Sequence, residues 1–153
     1  MSTSTALPDA VAATRRDLVA QRDIQQLMVR YAESIDYGDH EVWADTFTED
    51  GVFDVRRRGE PLFRHVGREQ LLVFVATHSH APQTYHKHLL GLPSIVVDGD
   101  TAAAHTYFSM MHESPSGPMV LVFGRYLDRF ACQPDGTWRF AERIVDMEDV
   151  GSR

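Results

Sequence analysis

The chain has 153 residues and a mass of 17.3 kDa, the size of one domain with a single core, which excludes two catalytic domains. Hydrophobic residues make up 43% of it and charged residues 24%, as in globular proteins rather than in disordered tails or membrane spans. The net charge of −7 argues against nucleic acid as a partner.

Cysteine usage and the N-terminal sequence bear on the compartment. The single cysteine, Cys132, excludes an intrachain disulfide and a cysteine-based zinc cluster. Residues 1–9 contain no basic segment followed by an apolar one, so we expect neither a signal peptide nor a transmembrane helix. We therefore expect a cytoplasmic protein without a membrane partner, with residues 1–8 disordered and residues 9–150 forming one domain.

The first half of the chain has helical patterns. Apolar side chains recur at helical spacing within residues 8–37, and Gly38 is placed to end this helix. A short second helix is predicted around Val42, Trp43, Thr46 and Phe47, ending at Gly51. Residues 51–57 and 62–66 are predicted to be short strands, and residues 67–77 a third helix.

The second half has the pattern of an antiparallel meander. Residues 84–97, 101–113, 119–132 and 137–149 are rich in β-branched and aromatic residues, and turn sequences with glycine or proline separate them. We expect four long strands. Three helices followed by such strands predict an α+β fold in which a strongly curved, mainly antiparallel sheet wraps the long first helix.

Two residues near the end of the first helix are candidates for proton chemistry. Tyr31 shares the apolar face of the helix, and Asp36 lies at its C-terminus. The helix dipole and partial burial would both raise the pKa of Asp36, which suits a proton carrier. The alternative is that Tyr31 belongs to the core and Asp36 is solvated.

Histidine supplies the other candidates, because five of the eight lie between His78 and His105. On a regular strand His86 and His88 share one face with apolar residues and need polar partners. On the next strand His105 and His112 point to opposite faces. His112 shares its face with apolar residues, so we expect His112 rather than His105 in the pocket.

Metal catalysis is an alternative that spacing alone leaves open. His86 and His88, with a third imidazole across the sheet, have a geometry that zinc accepts. However, the chain has no His-Glu-x-x-His helix and no third ligand at a reliable spacing. It also lacks a glycine-rich phosphate loop and a Gly-x-Ser-x-Gly elbow. We therefore expect no metal and no cofactor.

Several short motifs, in this order, resemble the SnoaL-like branch of the nuclear-transport-factor-like superfamily. They are RYAESID (30–36), TEDGVFD (48–54), GRE (67–69), His88 before LP (92–93), VDGDTA (97–102) and DGTWRF (135–140). Together they cover nearly the whole chain. The resemblance implies a cone-shaped α+β barrel with an apolar pocket at its open end.

Within that superfamily, the closest likeness is to scytalone dehydratase and the bile-acid dehydratases, with Tyr31, Asp36, His88 and His112 at the positions of catalytic residues. The resemblance implies a lyase without cofactor, in which His88 takes a proton next to a carbonyl and Asp36 orients His88. Tyr31 would then stabilise the enolate, and His112 would serve the leaving hydroxyl. We expect the substrate, a small hydrophobic cyclic molecule of polyketide or steroid type, to contact Trp43, Phe53, Met110 and Tyr126.

The chain departs from the scytalone dehydratase pattern at several pocket positions. Ile35 and Val55 stand where that enzyme has tyrosines, and Leu92 stands where many relatives have an asparagine before the proline. The substrate is therefore expected to differ. An isomerase or a cyclase with the same residues, and a non-catalytic ligand-binding or assembly module, remain alternatives.

The outer face of the sheet predicts self-association. Outward residues such as His105, Tyr107 and Arg125 are of types enriched at interfaces. One face of the 119–132 strand carries Met119, Leu121, Phe123 and Leu127 and would otherwise be left in water. We expect a homodimer or a larger homo-oligomer formed sheet to sheet.

Overall fold

A computed structural model describes residues 9–150 of the chain. The predicted disordered segment, residues 1–8, lies outside the described residues. In chain order the elements are α1 (Asp9–Tyr37), α2 (His40–Asp45), β1 (Phe47–Arg57), β2 (Glu60–Val66), α3 (Arg68–Thr77), β3 (His86–Leu90), β4 (Ser94–Asp98), β5 (Thr101–His112), β6 (Met119–Cys132) and β7 (Trp138–Val150).

The long helix α1 follows its apolar periodicity. Every residue of the predicted stripe is buried: Ile24, Leu27, Met28, Tyr31 and Ile35. The helix ends where the sequence predicts, because Gly38 has a φ of +78° and a Cβ at this position would overlap the ring of His80. The stripe packs against the sheet and fixes the depth at which the last turn of α1 lies.

Within residues 9–150, one mixed sheet contains all seven strands. Its order is β2-β1-β7-β6-β5-β3, and β4 also pairs with β5. The β1–β7 pair is parallel and the other pairs are antiparallel. The predicted fold class, α+β with a mainly antiparallel mixed sheet, is confirmed.

The predicted strand over residues 84–97 is two strands, which corrects that expectation. Leu90 pairs with Phe108, and Ser94 pairs with His105. The three residues 91–93 therefore lie opposite only two residues of β5, 106–107. The extra residue lies at Gly91-Leu92-Pro93, where proline cannot donate to the ladder. Leu92 is 97% exposed and therefore does not contribute to the pocket wall.

Two smaller corrections concern element bounds and side-chain direction. Phe47 opens β1 instead of closing α2, and Gly51 lies within β1 at a register shift instead of ending a helix. Leu121, predicted to face outward, is buried in the core. A bulge in β6 opposite Met110 and Met111 disrupts the alternation, because Leu121 has no partner residue on β5 there.

A cluster of aromatic rings forms the core beneath α1. Tyr31, Trp43, Phe47 and Phe140 have ring centroids 5.1–6.2 Å apart in tilted or edge-on arrangements. No helix within residues 9–150 is both long and apolar enough to cross a membrane.

Candidate active site

A cavity of about 370 Å³ opens between α1, α3 and the concave face of the sheet. Its walls are mainly apolar and include Phe53, Val55, Phe63, Phe74, Met110 and Met147. Its polar lining residues are Tyr31, His78, His88 and Tyr126. An apolar cavity with a few polar groups is the usual form of a small-molecule site.

A larger, open groove of about 580 Å³ lies at the other end of α1, near Arg15, Asp23, Asp100 and Trp138. Among the described residues that line it, none is a histidine or a cysteine. We therefore place the candidate active site in the 370 Å³ cavity.

His88, which lines this cavity, forms a hydrogen-bonded pair with Asp36 behind it. Nδ1 of His88 lies 2.6 Å from Oδ1 of Asp36, and the backbone N–H of His88 donates to Oδ2 of Asp36 over 3.1 Å. Both side chains are buried, with exposed fractions of 8% for His88 and 5% for Asp36. The prediction that His88 lies within hydrogen-bond reach of Asp36 is confirmed, and the solvated alternative for Asp36 is wrong.

The electrostatics of Asp36 correct the expected direction of its pKa. Burial raises the pKa of Asp36, but the close contact of the His86 imidazole and the hydrogen bonds from His88 outweigh it and hold that pKa well below its ordinary value of 3.8. The expected rise in the pKa of Asp36 was based on burial and the helix dipole alone and did not include the two neighbouring imidazoles. Asp36 is therefore an anion that orients its neighbours and not a proton carrier.

An ionised carboxylate fixes the tautomer of His88. Because Asp36 can only accept, Nδ1 of His88 carries the proton that it donates to Asp36. In the neutral ring with this tautomer, Nε2 carries the lone pair. A neutral imidazole with its orienting N–H bound to a carboxylate is the arrangement of a general base.

His86 is a second imidazole on the same carboxylate, and it had no predicted role in the acid–base mechanism. Its Nε2 lies 3.2 Å from Oδ1 of Asp36, and its side chain is 2% exposed. The predicted shared face of His86 and His88 was the signal that could have revealed it. One donor atom from each of Asp36, His86 and His88 lies within 4.8 Å of the others, so these residues together could hold a metal ion. This corrects the expectation that a third ligand is missing.

His78 is a cavity residue that was not among the predicted site residues. It follows α3 and lies beside the other imidazoles, with ring centroids 5.2 Å from His86 and 6.1 Å from His88. Burial lowers the pKa of His78 to about 4, so the ring is neutral near pH 7. The only sequence signal for it was the density of histidines between residues 78 and 105.

Tyr31 reaches the cavity from within the core. Burial raises the pKa of Tyr31 to about 12, against the opposing effect of Arg143, so its hydroxyl remains protonated and can donate. The Arg143 guanidinium lies 4.2 Å from the Tyr31 ring centroid and 4.0 Å from that of Tyr126. Its charge is paired with Asp128 by hydrogen bonds of 2.8 and 2.7 Å. This buried ion pair supports the aromatic side of the cavity.

The structure brings together most of the predicted site residues but not all of them. Phe53, Met110 and Tyr126 line the cavity as predicted, and Tyr126 stacks on Phe108 at 4.2 Å. Trp43 does not line it, which corrects its predicted substrate contact: the indole is fully buried behind Phe53 and Phe74.

His112 is also outside the cavity, which corrects its predicted position. It lies on the expected face of β5, paired with His86, but at the very end of the strand beyond Met110. There it lines a shallow surface depression next to Glu113 and Gly117. The prediction of the sheet face was right, but His112 lies too far along β5 to reach the cavity.

Comparison with known proteins identifies the family. The model of the SnoaL-like domain matches residues 16–144 of the chain. The chain belongs to the SnoaL-like domain family. The uncharacterized protein Rv2910c of Mycobacterium tuberculosis is 34% identical over 124 residues, which cover 80% of this chain and 81% of that protein.

Solved structures of similar proteins agree with the SnoaL-like assignment. A variant of Rv3472 of M. tuberculosis, a protein of unknown function, has a TM-score of 0.78 and 31% identity. The match covers 90% of this chain and 76% of that one. An NTF2-like protein with a cystatin-like fold from Novosphingobium aromaticivorans has a TM-score of 0.78 at 24% identity, covering 97% and 94%. The SnoaL-like chain therefore has the cone-shaped α+β fold of nuclear-transport-factor-like proteins, as the sequence motifs implied.

Proposed function

We propose that this SnoaL-like protein is an acid–base lyase of the dehydratase type, acting on a hydrophobic cyclic carbonyl compound. The observation that carries the proposal is the 2.6 Å contact between His88 and Asp36 at the wall of an apolar cavity. It supplies an oriented base where bulk water is scarce. The family assignment supports the same function.

The first step is removal of a proton from the carbon next to the carbonyl. Nε2 of His88 takes this proton, and the resulting imidazolium is stabilised by the Asp36 anion, which already holds Nδ1. The electron pair of the C–H bond moves into an enolate. Tyr31, protonated at neutral pH, donates to the enolate oxygen and limits the build-up of charge.

The second step expels a hydroxyl group from the adjacent carbon. The enolate electrons form the new C=C bond, the C–O bond breaks, and Nε2 of His88 returns its proton to the leaving oxygen. The products are an unsaturated carbonyl compound and water, and the base is regenerated. This assignment uses His88 for the role predicted for His112, because His112 lies outside the cavity.

An isomerase shares the first step and differs only in returning the proton to another carbon. The two functions are separated by their products. Water loss from a β-hydroxy cyclic ketone changes both mass and ultraviolet absorption, whereas isomerisation leaves the mass unchanged.

The experiment incubates the protein with a panel of β-hydroxy bicyclic ketones and follows water loss by mass spectrometry and ultraviolet absorption. His88→Ala and Asp36→Asn should each lower the rate by about 10²–10⁴-fold. The matched control is His105→Ala, since His105 is an exposed histidine on the outer face of the same sheet. Rates in His88→Ala equal to those in His105→Ala would overturn the proposal.

A further inference from the structure

His78 has a fixed position at the end of α3. Its backbone N–H donates to the carbonyl of Val75 over 3.1 Å, closing the helix. Its ring lies 6.0 Å from that of Phe74 on the same helix and 6.1 Å from that of His88 on β3. The imidazole therefore faces the cavity beside the proposed base.

The hydrogen bond at Nδ1 of His78 sets its tautomer. Nδ1 lies 2.9 Å from the carbonyl oxygen of Ser79. A carbonyl oxygen can only accept, so Nδ1 must carry the proton and Nε2 must be the acceptor of the ring.

Polar groups of the cavity therefore have three different functions. Tyr31 offers a donor, Nε2 of His88 offers a base, and Nε2 of His78, in the tautomer set by Ser79, offers an acceptor. An acceptor in an apolar cavity is best satisfied by a ligand O–H group, because an unpaired polar group loses the hydrogen bonds it makes in water.

We infer that His78 is a specificity-determining residue that accepts a hydrogen bond from a hydroxyl group of the substrate other than the one eliminated. The substrate class is then a hydroxylated cyclic ketone. This inference rests on the proposed function for the identity of the reacting carbon. The recognition itself is an equilibrium property and is measurable without turnover.

The test compares ligands that differ only in their ability to donate. The probes are 1-tetralones bearing a phenolic hydroxyl at each of three ring positions, together with the methyl ether of each, and binding is measured by calorimetry. The wild-type protein should prefer one hydroxyl isomer over its ether by about three- to tenfold, the range of one net hydrogen bond. His78→Leu should abolish this preference.

Two further variants keep the result interpretable. His78→Gln retains an acceptor oxygen and should keep part of the preference, and His105→Leu, on the outer face, should keep all of it. A merely structural role of His78 would weaken hydroxyl and ether ligands equally. An unchanged preference in His78→Leu, no preference in the wild-type protein, or no binding of any tetralone would each overturn the inference.

The proposed function can fail separately from this inference. If the hydroxyl preference depends on His78 but no ketone undergoes proton removal or water loss, His78 is a recognition residue of a binding protein. If proton removal occurs and depends on His88 but the preference is independent of His78, the lyase stands and the recognition role is wrong.

Discussion

Replacing Asp128 by asparagine should leave Arg143 as a buried charge without a counter-charge. Both side chains of this pair have an exposed fraction of 0%, and two hydrogen bonds of 2.8 and 2.7 Å join them. Removing one partner of a buried ion pair lowers the free energy of unfolding by about 3–5 kcal/mol. The rings of Tyr31 and Tyr126 would remain as partners of the guanidinium but cannot replace the carboxylate.

Urea denaturation followed by circular dichroism measures this loss. The double variant Asp128→Leu, Arg143→Met should recover most of it, because apolar residues of similar volume need no charge partner. Glu41→Gln is the control, since the Glu41 side chain, paired with Arg68, is 72% exposed and an exposed pair contributes about 0–1 kcal/mol. A loss below about 1 kcal/mol in Asp128→Asn, or a double variant no more stable than the single one, would refute the reasoning.

Three other predictions concern pH, metal and assembly. Because the native pKa of His78 is about 4 and its ordinary value is 6.5, the unfolded chain binds the proton first as the pH falls. The wild-type protein should therefore lose about 1–3 kcal/mol more of its free energy of unfolding than His78→Gln between pH 7 and pH 4, measured by urea denaturation; equal losses would contradict this. Elemental analysis of the purified protein should show no stoichiometric metal, and chelators should leave its activity unchanged. One zinc ion per chain together with chelator-sensitive activity would contradict this and would make Asp36, His86 and His88 the zinc ligands. The exposed outer-face residues Val96, Tyr107 and Phe123 predict a dimer by light scattering at micromolar concentration, which Tyr107→Glu should weaken; a wild-type mass near 17.3 kDa would show a monomer.

The helices and strands whose apolar residues recur at a regular spacing were predictable from the sequence. The apolar spacing in α1 placed Tyr31 and the end of the helix correctly, and strand alternation put His88 on the inner face. Alternation left His86 and His88 on one face, and the resemblance to the dehydratases singled out His88 as the partner of Asp36. Local periodicity is set by backbone geometry, so it can be read from one segment at a time.

The errors arose where the register of one strand depends on another. The extra residue between β3 and β4 and the bulge at Leu121 change side-chain direction. Pro93 marks the first of these in the sequence, but the bulge at Leu121 has no unique local sequence signature. The position of His112 relative to the cavity depended on how far β5 extends past Met110. Such distances are set by packing between elements.

The charge state of Asp36 was missed for a related reason. The sequence shows a carboxylate at a helix end but not the two imidazoles from β3 that contact it. Likewise, the role inferred for His78 depends on one hydrogen bond to Ser79 in a loop. The pKa of a side chain depends on the residues that contact it in the folded protein, and the periodicity of one chain segment does not reveal these contacts.

Exchange of the α-protons of a bound cyclic ketone with solvent deuterium tests the central claim most directly, because dehydratase, isomerase and cyclase all begin with this step. Proton magnetic resonance in D₂O would follow the loss of the α-proton signal of 1-tetralone. We predict exchange by the wild-type protein and by His105→Ala, and a decrease of about 10²–10⁴-fold in His88→Ala. Equal exchange rates in His88→Ala and the wild-type protein, or no exchange of a ketone shown by crystallography to occupy the cavity, would contradict the proposed role of His88.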